Sequence, residues 1–323
     1  MKYIDMHCDT IAEIYYRKRD GHPYSLFQNE LQIDLKKLIA GDCLLQCFAC
    51  FTNLGREERP YEYVNKLIDV YYEEINKYPD IIRPVYSYSD LEKNERDGVI
   101  SALLTIEEGE ACEGSTEKLE QLYERGARLM NITWNYKNSI GHPNKVENGV
   151  FTPDTENGLT EKGFEIVDKM QKLGMVIDVS HLSDKGFYDV AGAVKGPFVA
   201  SHSNARYVCN HPRNLTDDMI RVLASHGGVM GLNYCDSFVK QYQVGFKVDD
   251  MVDHGMHIID VGGIECLGLG SDFDGIGRHD LAIDDASMEQ LLAHGFKSRG
   301  MSDDDVENIF SGNVKRVFKE ILK

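Results

Sequence analysis

Histidine and carboxylate side chains recur in this chain at the ends of apolar, strand-like segments. The first such segment, from Tyr3 to Met6, leads into His7 and Asp9. These two residues are two positions apart, so they leave a strand in the same direction. An imidazole and a carboxylate that share one direction can bind one metal ion. The triplet alone is weak evidence, because His-x-Asp is common by chance.

Four later apolar segments end in the same way. They lead into four further candidate ligands or proton carriers: Glu107, His181, His202 and Asp272. Each of these alone is explained as well by a cap, a salt bridge, a turn or a backbone hydrogen bond. Their occurrence at five strand ends together is poorly explained in that way. Three histidines and three carboxylates suit Zn²⁺ or a similar ion, and six candidates fit two ions with a shared carboxylate better than one tetrahedral ion.

The elements that must position these residues are eight predicted strands. Apolar segments begin near residues 3, 43, 99, 128, 175, 197, 228 and 266, and most are followed by a helical pattern. This alternation predicts parallel pairing in a closed (β/α)8 TIM barrel, whose strands all end at the active-site face. A doubly wound open sheet is the alternative, but no glycine-rich phosphate-binding turn follows the first strand. A long polar stretch from Tyr136 to Asn157 is predicted to be a lid or binding loop.

Composition and charge exclude several classes of function. The 323 residues include 35 Lys and Arg against 53 Asp and Glu, a net charge of −18, which argues against nucleic-acid partners and anionic membranes. No segment approaches the roughly 20 apolar residues of a membrane span, and no secretory signal is evident. We therefore expect a cytoplasmic protein. Without repeats or a linker, residues 1–323 are predicted to form one barrel domain with the C-terminal helices packed on it.

The motifs resemble those of the membrane (renal-type) dipeptidases, peptidase family M19 of the amidohydrolase superfamily, and indicate a soluble bacterial-type member. The matching segments follow the family order over nearly the whole chain. They are Asp5-Met-His7-Cys-Asp9-Thr10, Ile106-Glu107-Glu-Gly109, Ile177-Asp178-Val-Ser180-His181, Ser201-His202-Ser203, Val208 to Asn214 with Asp217-Asp218, Gly270-Ser-Asp272-Phe273-Asp274-Gly275, and Ser311-Gly312-Asn313 with Arg316-Val317.

The resemblance implies a ligand set for two zinc ions. His7 and Asp9 would hold one Zn²⁺, His181 and His202 would hold the other, and Glu107 would bridge them. A hydroxide between the two ions would attack the peptide carbonyl.

The resemblance also implies the substrate and two further roles. Arg213 would bind the substrate carboxylate, for which a bidentate guanidinium is suited, and Asp272 would exchange protons as general base and then acid. The substrates would be small dipeptides, including some with a C-terminal D-residue. Family members often form homodimers, although no surface patch in the sequence indicates one.

One position departs from the family pattern. Renal-type members have a histidine after the fourth strand that polarises the substrate carbonyl, and this chain has Trp134 there, followed by Asn135. Tryptophan offers one neutral N–H and cannot carry a charge. We predict that both residues contact substrate. Either zinc and another group stabilise the intermediate, or the substrate differs. His142 in the following loop is a weaker candidate to replace the family histidine.

Two alternatives remain open at this point. One is another amidohydrolase-type reaction, such as deacetylation or lactone opening. Many of those relatives bridge their metals with a carboxylated lysine on strand four, and residues 128–135 contain no lysine. The other is a non-catalytic metal-binding scaffold. The presence of all the ligand residues argues against it, whereas Trp134 in place of the family histidine is consistent with it.

Overall fold

The strands alternate with helices along the chain. The structure, a computed structural model, describes residues 1–147, 149–241, 245–277 and 281–323. Its strands are β1 (Tyr3–Asp5), β2 (Cys43–Phe51), β3 (Ile82–Pro84), β4 (Ile100–Glu107), β5 (Leu129–Asn131), β6 (Lys145–Glu147), β7 (Val150–Thr152), β8 (Val176–Asp178), β9 (Val199–Ala200), β10 (Val229–Leu232) and β11 (Leu267–Leu269).

The α-helices fill most of the chain between the strands. They are α1 (Thr10–Arg19), α2 (Leu35–Gly41), α3 (Pro60–Ile75), α4 (Tyr88–Asp97), α5 (Thr116–Glu124), α6 (Glu161–Leu173), α7 (Asp184–Ala193), α8 (Asp217–Ser225), α9 (Asp236–Val239), α10 (Val248–Gly262), α11 (Gln290–Ser298), α12 (Asp303–Glu307) and α13 (Asn313–Ile321). A π-helical turn, Asn308–Gly312, joins α12 to α13.

Eight strands form a closed parallel ring in the order β1-β2-β4-β5-β8-β9-β10-β11. The seam between β11 and β1 is made at the pair Asp5 and Leu269, and the Met6 amide donates to the Leu269 carbonyl at 3.0 Å. The longest pairing joins β2 to β4 and ends where Phe51 faces Glu107. The predicted (β/α)8 TIM barrel is confirmed, and each of the eight predicted segments supplies one strand of the ring.

Three strands lie outside the ring and were not predicted. β3 pairs with the first residues of β4, beyond the ring. β6 and β7 form an antiparallel hairpin within the polar stretch that was predicted as a loop. All three are only three residues long, so they carry too little alternation to be recognised from sequence.

The C-terminal helix closes the end of the barrel that lies opposite the candidate ligands. Val176, Val199 and Val229 are the first residues of β8, β9 and β10, and they belong to one buried apolar cluster with residues of α13. The helix contributes Val314, Val317 and Phe318 to this cluster. Burial of these side chains therefore stabilises the amino-terminal ends of the strands and leaves their carboxyl ends open for a site.

Two glycines allow the carboxyl ends of β9, β10 and β11 to approach closely. A Cβ atom on Gly231 or on Gly270 would collide with the carbonyl oxygen of Ser201. Ser201 precedes His202, and Gly270 is two residues before Asp272. The absence of side chains at these two positions therefore brings two of the candidate residues to one place.

We predict that Gly270→Ala destabilises the protein, because the new methyl group must displace backbone at the ends of the barrel strands. The free energy of unfolding should fall by at least about 2 kcal/mol, in the range of overpacked cores. Urea unfolding followed by circular dichroism measures this. Gly192→Ala in α7 is the control, since nothing lies within 4 Å of a Cβ there; equal stability of the two variants would contradict the prediction.

Candidate metal centre and active site

The six candidate residues predicted from strand ends lie together at the carboxyl ends of the barrel strands. His7 and Asp9 follow β1, Glu107 ends β4, His181 follows β8, His202 follows β9, and Asp272 follows β11. Five of the six are buried, and the Asp272 side chain is 13% exposed. Residues separated by up to 265 positions in the sequence therefore form one cluster.

Glu107 lies between two groups of this cluster. One of its carboxylate oxygens, Oε2, is 3.3 Å from Nε2 of His7. The other, Oε1, is 3.1 Å from Nε2 of His181 and 3.9 Å from Nε2 of His202. Nε2 of His7 is in turn 3.4 Å from Oδ2 of Asp9. The two oxygens of one carboxylate thus face two different sets of nitrogen and oxygen donors.

His181 and His202 point their Nε2 atoms at each other across 3.0 Å. Burial, together with the positive charge of Arg213, lowers the pKa of both imidazoles well below the usual histidine value. Both rings are therefore neutral, which is the form that binds a metal. Burial also opposes a charge on His7, but the adjacent Glu107 and Asp9 raise the pKa of that ring well above its usual value.

The cluster contains buried polar atoms that a cation would satisfy. Among the described residues, Nδ1 and Nε2 of His7 and Oδ1 of Asp9 have no hydrogen-bond partner. Leaving such atoms unpaired costs free energy, on the order of 1–3 kcal/mol each. His7, Glu107 and His202 offer donor atoms within 4.8 Å of one another, and so do His7, Asp9 and Asp272. The donors are imidazole nitrogens and carboxylate oxygens, so the residues present fit a zinc-like ion.

A buried hydrogen-bond chain orients His202. The Ser201 hydroxyl donates its proton to Oδ2 of Asp178 and lies 2.7 Å from Nδ1 of His202. Because that proton is already used, Nδ1 must be the donor to Ser201, and Nε2 keeps its lone pair. This arrangement fixes the tautomer that a metal requires.

A second buried aspartate, Asp5, also bonds to a serine on the neighbouring strand end, at the seam between β11 and β1. Asp5 accepts hydrogen bonds from the Ser271 amide at 2.8 Å and the Ser271 hydroxyl at 2.7 Å. Gln46 adds a third donor at 2.8 Å. We call the Asp5–Ser271 and Asp178–Ser201 pairs the two aspartate–serine links. The first joins the strand ends that carry His7 and Asp272, and the second joins the strand ends that carry His181 and His202.

Asp272 is held by a residue that the sequence analysis missed. Its Oδ2 atom accepts a hydrogen bond from Asn233 at 2.8 Å. Burial, with the nearby charge of Asp9, raises the pKa of Asp272 to about 6 against the opposing effect of His7. The same two causes raise the pKa of Glu107 to about 8. Asn233 directly follows the last residue of β10, so the strand-end pattern that identified the other residues could have found it.

Arg213 lies beside the cluster at the end of β9. It is buried, its Nη2 atom donates to the His202 carbonyl at 3.2 Å, and its Nη1 atom donates to the Ser203 hydroxyl at 3.4 Å. Burial lowers the pKa of its guanidinium. Within the described residues its Nε atom is buried without a hydrogen-bond partner, so this cation has a spare donor for an anion.

Trp134 and Asn135 line the same side of the site. The Trp134 amide donates to Oε2 of Glu108 at 2.9 Å, and its ring meets Phe51 edge-on at 4.8 Å. Oδ1 of Asn135 lies 3.0 Å from Nδ1 of His181 and accepts its proton, which leaves Nε2 of that histidine free. The contact of Asn135 with a candidate ligand was not expected. The Nδ1 atom of His142 lies 2.9 Å from the Gly158 carbonyl, and His142 is not among the described residues that share a cavity with the candidate ligands.

A cavity of about 360 Å³ opens above the cluster. Four of the candidate residues line its floor: Asp9, Glu107, His181 and Asp272. Its walls include aromatic and polar side chains from several loops, among them Tyr16, Phe51, Asn53, Arg56, Trp134, Asn135, Cys235 and Phe238. The size suits a small molecule of a few tens of atoms at most.

Comparison with known proteins identifies relatives along the whole chain. A family model described as membrane dipeptidase (peptidase family M19) matches residues 1–323. An uncharacterised dipeptidase of Schizosaccharomyces pombe is 30% identical over 310 residues, which are 91% of this chain and 74% of that protein. The dipeptidase aclJ of Aspergillus oryzae is 29% identical over 300 residues, which are 90% of this chain and 70% of that protein.

Solved structures share the same fold. A dipeptidase described as a metallopeptidase of family M19 superimposes with a TM-score of 0.91 at 23% identity, over 100% of this chain and 99% of that one. A metallopeptidase from Rhodobacter sphaeroides, liganded with a phosphinate mimic of the dipeptide L-Ala-D-Ala, gives a TM-score of 0.90 at 22% identity with the same coverage. Among the described residues, no helix has both the length and the apolar character needed to cross a membrane.

We predict that Ser201→Ala weakens metal binding, because His202 loses the acceptor that fixes its tautomer. The affinity for Zn²⁺ should fall by about 10- to 100-fold, as for other outer-shell partners of ligating histidines. Competition with a chromophoric chelator measures this. Ser203→Ala is the control, since the Ser203 hydroxyl accepts a hydrogen bond from Arg213 and, within the described part of the chain, bonds to no candidate metal ligand; equal Zn²⁺ affinity in the two variants would overturn the assignment.

Proposed function

Because this chain belongs to the membrane dipeptidase family, peptidase family M19, we propose that it is a metal-dependent dipeptidase. The observation that carries the proposal is the position of Glu107, whose two oxygens face different groups of donors. This arrangement favours two ions over one. A single ion could not contact both Glu107 oxygens and also bind His7 on one side and His181 with His202 on the other. The nitrogen and oxygen donors favour zinc.

The proposed ligands form two groups, and each group lies at strand ends that one aspartate–serine link joins. His7 and Asp9 would hold one ion, His181 and His202 the other, and Glu107 would serve both. Bound zinc would supply a water of lowered pKa and polarise the substrate carbonyl. The chain supports this ligand set by keeping His181 and His202 neutral and by fixing their tautomers through Asn135 and Ser201.

Asp272 is the proposed proton carrier. Its Oδ1 atom is 3.9 Å from Nε2 of His7, so it lies beside the candidate ligands, while Oδ2 is occupied by Asn233. The free oxygen would accept a proton from the attacking water and return it to the departing amine. A carboxyl group whose pKa has been moved toward neutrality is suited to both steps.

Arg213 is the proposed anchor for the substrate carboxylate. A buried guanidinium with a spare N–H pays a desolvation penalty that a bound carboxylate offsets. The proposed substrates are dipeptides with a free C-terminal carboxylate, including some with a C-terminal D-residue. The solved relative that binds a mimic of L-Ala-D-Ala supports this substrate class.

The first prediction from this proposal concerns metal removal. After treatment with a chelator, hydrolysis of dipeptides such as L-Ala-L-Ala and L-Ala-D-Ala should cease, and added Zn²⁺ should restore it. Release of free amino acids, measured by chromatography, is the readout. An N-acetyl amino acid and a lactone serve as control substrates. Turnover of a control substrate without dipeptide hydrolysis would contradict the proposal and favour another amidohydrolase-type reaction.

The second prediction is that Asp272→Asn and Arg213→Ala fail in different ways. Asp272→Asn should lower kcat by about 10²- to 10⁴-fold, because proton transfer is lost. Arg213→Ala should raise KM more than it lowers kcat, since it removes an anchor remote from the scissile bond. Steady-state kinetics on one dipeptide separates the two effects. An unchanged kcat in the first variant, or an unchanged KM in the second, would refute that residue's role.

A further inference from the structure

The cavity above the candidate metal centre contains a cation with no partner among the described residues. Arg56 lines this cavity together with Asn53, and within the described part of the chain its side chain makes no ion pair and no hydrogen bond. The nearby Arg59, in contrast, pairs with Glu62 at 2.9 Å. Arg56 is also the only Lys or Arg in the described cavity lining, which otherwise contains the carboxylates of Asp9, Glu13, Glu107, Asp272 and Asp274.

The backbone of Arg56 is held at a defined place relative to Glu107. The loop that carries it follows β2, and the amide of its first residue, Thr52, donates to the Glu107 carbonyl at 3.2 Å. The Arg56 amide then donates to the Asn53 carbonyl at 2.9 Å, and the Gly55 amide donates to Oδ1 of Asn53 at 2.9 Å. A turn with these bonds presents Arg56 to the cavity while its side chain remains exposed.

The strand order sets the direction of a bound dipeptide. In the ring of eight, β2 lies four strands from β9 in either direction, so the two are opposite each other. Arg213 contacts the end of β9 through the His202 carbonyl, and Arg56 follows β2. A dipeptide with its carboxylate on Arg213 and its peptide carbonyl over Glu107 therefore directs its N-terminal residue toward the loop after β2.

From this geometry we infer that Arg56 is a specificity residue that selects dipeptides with an acidic side chain on the N-terminal residue. The inference rests on the proposed dipeptidase function and adds the substrate class. Arg213, which does not line the cavity, would be occupied by the α-carboxylate, so among the described lining residues Arg56 is the cation that can pair with a second carboxylate.

The test compares an acidic substrate with its neutral isostere. L-Glu-L-Ala and L-Gln-L-Ala have the same shape, so the ratio of their kcat/KM values reports the charge alone. In the zinc-loaded enzyme at low ionic strength this ratio should be about fivefold or more, the upper range for a partly exposed ion pair. It should approach one in Arg56→Gln and at about 1 M salt, where the Debye length is near 3 Å. Arg56→Lys should keep part of the preference.

The control variant is Arg59→Gln, which removes a cation three residues away that does not line the cavity; its ratio should equal that of the unchanged enzyme. Hydrolysis of L-Gln-L-Ala without a preference for L-Glu-L-Ala would refute the inference and leave the dipeptidase function intact. A rise in KM for both substrates in Arg56→Gln would also refute it, because Arg56 would then bind the α-carboxylate. Failure to hydrolyse either dipeptide would refute the inference if L-Ala-L-Ala is still hydrolysed, and would refute the proposed function itself if L-Ala-L-Ala is not hydrolysed either.

Discussion

The arrangement of the site depends on one buried carboxylate with two faces. Glu107 contacts donors from β1 with one oxygen and donors from β8 and β9 with the other. That position exists only because β4 pairs with β2 in a register that brings Glu107 to the last rung of the pairing, opposite Phe51. A shift of one residue would turn the side chain to the opposite face of the sheet and separate the two histidine groups.

The two aspartate–serine links explain how the barrel tolerates the backbone that this site requires. His181 and Asp272 both have left-handed backbone conformations, with φ of 70° and 63°. Each costs on the order of 1 kcal/mol or more for a residue other than glycine. Asp178 ends β8, the strand before His181, and Asp5 ends β1, which pairs with the strand before Asp272. Each of the two carboxylates accepts several buried hydrogen bonds. Charge-assisted bonds of this kind are strong enough to offset the strain.

The sequence predicted the ring of strands and the cluster of candidate ligands for one reason. Parallel strands are buried on both faces, so they appear as continuous apolar runs, and the polar residue that ends each run is conspicuous. The same logic failed for contacts made by loops. The contact of Asn135 with His181 depends on the path of the chain after β5, which no periodicity reveals. That no described residue pairs with the Arg56 side chain could not be predicted either, because it depends on which charges lie within reach in the folded chain.

The pairing of β11 with β1 also determines when each half of the site can form during synthesis. His181 and His202 follow strands that neighbour each other in the chain, so their half of the site can form once both strands pair. The half with His7 and Asp9 is different, because Asp5 binds Ser271 only after the stretch of chain between them has been made. A nascent chain that ends before residue 267 lacks both the last barrel strand and Asp272. The half of the site that follows Asp5 is therefore complete only when a partner 266 positions later in the chain has been made.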